Sequence, residues 1–144
     1  MAVEASELLA LAERCEIVAG TDRVLDAEIE CATRFEHLRP ARPDDFDGKY
    51  GYTPGNLKVD TGFLMAYSYT RSLDDAMTLV PDGWRRIMGD DPENPHQSMA
   101  GLFNDQGDEV TAYAPQLCRA IAAAALRARA SLSQTIKETS DHDR

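Results

Sequence analysis

The sequence predicts an α+β domain in which a short antiparallel sheet is layered with helices and a long C-terminal helix packs on that sheet. Three features carry this expectation. Apolar residues recur at helical spacing at both ends of the chain, at Leu8, Leu11, Ala12 and Cys15 and again at Leu117, Ile121, Ala124, Ala125, Ala128 and Leu132. Short apolar segments bounded by turn residues fill the stretch from Trp84 to Tyr113. Between these regions, proline, glycine and aspartate punctuate the chain too densely for long regular elements.

The first helix is expected from about Val3 to Val18, with Glu4, Glu7, Glu13 and Arg14 facing away from the apolar stripe and Gly20 as its stop. Thr21 or Asp22 then caps a second helix through about Thr33, with Leu25, Ile29 and Ala32 inward and Asp26, Glu28 and Glu30 on the wetter side. Periodicity fails from Leu38 to Gly62, the segment expected to contact a partner. Within it, Tyr50 and Tyr52 lead into Thr53-Pro54-Gly55-Asn56, a hairpin turn with Leu57–Val59 returning. Phe63 to Tyr69 reads as extended.

Ser72 is a helix N-cap, Asp74 and Asp75 suit the positive end of the helix dipole, and Pro81 ends the helix before the Asp82-Gly83 turn. Strands follow at Trp84–Met88, Ser98–Phe103 and Glu109–Tyr113, the last two joined by a hairpin turn. Pro115 then fits the first turn of a long helix ending near Leu132, with Arg119, Arg127 and Arg129 on its outside. Its alanines permit close approach to a sheet. A single domain over residues 1–133 is expected, with residues 134–144 as a disordered tail.

Net charge is −10, from 25 acids and 15 bases, and the acids belong to the body of the chain. Such a surface repels nucleic-acid phosphates and steers a basic protein inward, so the expected partner is a basic protein, with no direct nucleic-acid contact. No apolar run approaches the roughly 20 residues of a membrane span, and the start lacks a signal-peptide pattern, so a cytoplasmic setting is expected. The odd set of Cys15, Cys31 and Cys118 reads as reduced, buried thiols.

Three strings resemble small phage and prophage proteins carrying the phage ABA sandwich domain: "LLALAERCEIVAGTDRVLDAEIECA", "YTRSLDDAMTLVPDGW" and "EVTAYAPQLCRAIAAAALRARASL". They span about half the chain, the middle one being the most specific. The resemblance implies a layered α and β domain of phage or prophage origin, acting in the host bacterial cell. It implies no reaction, because the shared strings are scaffold strings.

Chemistry is sparse. His37, His96 and His142 lack HxH or HExxH spacing, and neither a phosphate-binding glycine loop nor a GxSxG elbow occurs. No catalytic residue, cofactor or metal is therefore expected. Asp105, Asp108 and Glu109 lack calcium-loop spacing, as do Asp90, Asp91 and Glu93. The acids read better as a contact surface: Asp44, Asp45, Asp47, Tyr50, Tyr52, Asp90, Asp91 and Glu93 are the expected partner-binding residues.

The function that follows is a phage accessory protein binding another protein, in the specific form of an anti-CRISPR-like inhibitor whose acidic surface occludes a nucleic-acid-binding site. Two alternatives stand beside it: a structural or regulatory phage protein that self-assembles through its apolar helices into a homo-oligomer, and a small enzyme using Asp90, Asp91 and His96.

Overall fold

A computed structural model describes residues 4–17, 20–46 and 51–142, with side chains through Ser133. The elements run α1 (Ala5–Ile17), α2 (Arg23–Thr33), β1 (Arg39–Pro40), β2 (Asn56–Val59), β3 (Gly62–Met65), α3 (Leu73–Met77), β4 (Arg85–Asp90), β5 (Ser98–Phe103), β6 (Glu109–Ala114) and α4 (Leu117–His142). A 3-10 turn, Pro43–Asp45, follows β1. The strands form two antiparallel three-stranded sheets, β1-β2-β3 and β4-β5-β6, so the α+β expectation holds.

α4 organises the larger unit. It packs on β5, β6, α1 and α3, and every residue from Cys118 to Leu126 is buried. Ala122, Ala123, Ala124 and Ala125 fit because a helix enclosed on all sides needs side chains short enough for its neighbours to approach. The expected end near Leu132 falls short: the helix continues to His142.

The outward placement of three arginines is also overturned. Arg119 is buried, with Nε and Nη1 lacking hydrogen-bond partners. Arg129 is half-buried and its Nε donates to the Leu79 carbonyl at 2.7 Å. Arg127 pairs with Glu16 of α1 and donates to the Thr111 carbonyl at 3.1 Å.

The smaller unit is α2 with β1-β2-β3, around Ala27, Leu57 and Ala66. Asp22 is the α2 cap, its Oδ1 accepting from the Leu25 amide at 3.0 Å. Asp26 and Glu30, expected on the wet side, are buried. They face inward because the chain from Tyr67 to Thr70 brings them unpaired amides: Asp26 Oδ1 accepts from the Thr70 amide at 2.9 Å and Glu30 Oε2 from the Tyr67 amide at 2.7 Å. Glu30 Oε1 also accepts from the Tyr69 hydroxyl at 2.8 Å.

Leu57–Val59 does not return from the expected Thr53–Asn56 turn onto the Tyr52 segment, and Tyr50 lies outside the described residues. Leu57 pairs with Pro40 of β1 and Leu64 of β3, and the two-residue turn Asp60-Thr61 makes the hairpin. The reason lies at Gly55, whose φ is +94°. Its carbonyl accepts from the Ala66 amide at 2.8 Å, extending the β2–β3 ladder. The Arg23 guanidinium lies 2.5 Å from where a Cβ would stand. Only glycine admits both the backbone turn and that approach.

The remaining middle elements follow the sequence closely. Ser72 caps α3, its Oγ accepting from the Asp75 amide at 3.2 Å, and Trp84 packs against the main core ahead of β4. Among the described residues, no helix is long and apolar enough to cross a membrane.

Candidate interaction site

The site begins with an arginine fork. Arg23, at the start of α2, donates through Nη1 to Asp26 Oδ2 at 2.9 Å, Ser68 Oγ at 3.0 Å and the Tyr67 carbonyl at 3.1 Å. Its Nη2 reaches the Ala66 carbonyl at 2.9 Å and the Gly55 carbonyl at 3.3 Å. One planar cation thus ties α2 to both strands of the β2–β3 hairpin at its open end, a geometry suited to guanidinium and not to ammonium. Arg34 adds an ion pair to Glu30 at 3.2 Å and lies 4.3 Å from the centroid of the Tyr67 ring.

This anchoring fixes the hairpin's faces. Leu57 and Ala66 share the side that packs with α2, where Leu64 also points but stays 41% exposed, so Lys58, Phe63 and Met65 project from the other. There Phe46 stacks on Phe63, with centroids 4.4 Å apart and planes 5° from parallel. Tyr52 meets Phe46 edge-on at 5.6 Å, and Lys58 Nζ stands 5.2 Å from the Phe63 centroid. The platform stays open: Met65 is 78% exposed, Tyr52 42% and Phe63 39%.

At its margin Asp44 is exposed in the 3-10 turn. Asp45 is not free to meet a partner. It accepts from Arg39 Nη1 and Nη2 at 2.7 and 2.6 Å and from the Arg42 amide at 2.7 Å. The Arg39 hydrogen bonds, with the Arg42 amide behind them, hold its carboxyl well below the usual aspartate range. Asp47 and Tyr50 lie outside the described residues.

The second expected group sits elsewhere, on the turn between β4 and β5. Asp90 and Glu93 are exposed, while Asp91 Oδ1 accepts from the Glu93 amide at 2.9 Å and so builds the turn. His96 belongs to the same turn, its amide donating to Asn94 Oδ1 at 3.1 Å. Asp105, Asp108 and Glu109 lie at the β5–β6 turn, at the opposite end of the same sheet, about 20 Å away for six-residue strands. The carboxylates therefore form separate groups. Among the described residues, no three His, Cys, Asp or Glu side chains converge in a metal-holding arrangement.

A groove of about 450 Å³ runs between α1, α2 and β1, lined in part by Leu11, Arg14, Glu28, Cys31 and Leu38. Arg14 and Glu28 form an ion pair there. Burial, with the charges of Glu30 and Glu28, pushes the Cys31 thiol up to about 11. Cys15 rises to about 12 through burial and the Asp26 charge. At neutral pH both are protonated, which suits packing and not nucleophilic attack.

Sequence reasoning picked out Tyr52 for partner contact but missed Phe63 and Met65, which belong to a segment separated from it by turns. The available signal was alternation about β3, which sets Phe63 and Met65 apart from Leu64 and Ala66. Comparison of the chain with family models, curated proteins and solved structures finds no match.

Proposed function

We propose that the chain is a phage-encoded accessory protein that acts by binding another protein, with the Phe46–Tyr52–Phe63–Met65 platform as its anchor and Asp44 at its margin. The single observation behind this reading is an aromatic stack held open on a sheet face by a buried polar network. Rigid, exposed aromatics supply contact area at small entropic cost and dominate binding energy where they are found.

The partner proposed is a basic, nucleic-acid-binding defence protein, and the action is occlusion of its nucleic-acid site in the anti-CRISPR manner. A net charge of −10 supports this choice by steering cationic surfaces inward. Phage origin rests on the resemblance of the three sequence strings.

The test is retention of a host nucleic-acid-binding protein at low salt, followed by affinity measurement with purified components. Phe63→Ala should weaken binding at least tenfold, and a competing oligonucleotide should displace the protein. Affinity should also fall as ionic strength rises. Absence of a retained partner at low salt, or a Phe63→Ala variant binding like the parent, would overturn the proposal.

A further inference from the structure

The outer edge of β4 offers a second surface, independent of the platform. All six of its residues are exposed, and α4 covers β5 and β6 beside it. Proteins usually protect such an edge with a bulge, a proline or charged side chains. β4 has neither bulge nor proline, and its charges, Arg85, Arg86 and Asp90, flank an uncharged centre. Its register with β5 is unbroken from Arg85↔Phe103 to Asp90↔Ser98, and its centre is Ile87-Met88-Gly89.

The backbone groups that point outward can be identified. The Asp91 amide donates to the Gln97 carbonyl at 2.9 Å, one step beyond the Asp90↔Ser98 pair. In an antiparallel ladder the bonded pairs alternate, so Asp91, Gly89, Ile87 and Arg85 direct their N–H and C=O groups toward β5. Arg86, Met88 and Asp90 direct theirs away.

The side chains have a matching symmetry. Two arginines precede Met88 and two aspartates follow it, at equal distances: Arg86 and Asp90 at two residues, Arg85 and Asp91 at three. We propose that β4 pairs antiparallel with β4 of a second copy about a two-fold axis at Met88, making one six-stranded sheet across the dimer. In this register Met88 faces Met88, Arg86 faces Asp90 and Arg85 faces Asp91, twice over.

The three outward residues of each copy become the bonded pairs of the new ladder, so every unpaired group between Arg86 and Asp90 gains a partner. Moving the axis by one residue, to Ile87, sets Arg86 against Met88 and loses every charge match. A two-fold axis perpendicular to a sheet maps a surface onto itself, so the surface must be self-complementary, as this strand is.

The test is the mass of the protein at about 100 µM chain, enough to populate micromolar complexes, at physiological ionic strength, where repulsion between the acidic bodies is screened. The expected mass is twice the 15.9 kDa of the chain. Met88→Lys sets two lysines against each other across the axis and should weaken the dimer at least tenfold.

Arg86→Asp and Asp90→Arg should each give monomers with unchanged circular dichroism, because both side chains are exposed. Mixed in equal amounts, these two variants should form a heterodimer, since each then presents what the other lacks. A monomeric parent protein overturns the proposal. So does a dimer that Met88→Lys leaves intact, or a mixture that stays monomeric.

Discussion

Glu16 joins three elements through one carboxylate. It accepts from the Tyr113 amide of β6 at 3.0 Å and pairs with Arg127 of α4, while its own backbone belongs to α1. Burial alone would raise its pKa, but the hydrogen bonds from Arg127 and Tyr113, together with the Arg127 charge, outweigh that and hold it below the ordinary 4.5. A carboxylate depressed on folding adds stability that is present above the unfolded pKa and lost as pH falls through the folded one. Glu16→Gln should therefore cost about 1 kcal/mol at pH 7, discounted for partial exposure. Thermal melts of the two proteins should converge as the pH drops well below 4.5, and a difference that persists at low pH would contradict this.

At this scale the sequence was least legible. Asp26, Glu30 and Arg119 are charged residues in helices whose apolar stripes can be drawn without them, so periodicity sends all three to solvent. For the two acids, what brings them inside is the demand of backbone amides at Tyr67 and Thr70, some 40 positions away. Nothing local encodes that demand.

Among elements, legibility followed length and capping. α2 and α3 announced themselves through Asp22 and Ser72, and β5 and β6 through the turn residues around Asn104 and Gly107. β1, β2 and β3 were missed as a sheet because they are two to four residues long and the turn at Asp60-Thr61 contains no glycine. The stripe of α4 was legible, but its burial on every side was not, since alanine satisfies both an exposed and an enclosed position. Ala123→Leu tests the enclosure directly. At a fully buried site the added methylenes should cost about 1–3 kcal/mol in denaturant unfolding. On an exposed helix face the same change would be nearly neutral.

For the whole molecule the contrast is between two cores held differently. The cluster around α4 is large and apolar, while among the described residues that of α2 with β2 and β3 has Ala27, Leu57 and Ala66 at its centre, with Cys31, Phe35 and Leu38 partly buried against them, and leans on Arg23, Asp26 and Glu30. Local opening is easiest where apolar contacts are few. Amides of β2 and β3 should exchange with solvent at least tenfold faster than those of β5, and Arg23→Met should accelerate the former while leaving the latter unchanged. Uniform protection across both sheets would refute this division.

The enclosed position of α4 also bears on when the protein can fold. α4 follows every other described strand and helix in the chain, so during translation α1, α3, β5 and β6 emerge from the ribosome before the element that fills their common interior. Until α4 clears the exit tunnel, those surfaces remain without their native partner and open to chaperones. The nascent chain should accordingly resist protease only after the alanine segment has appeared.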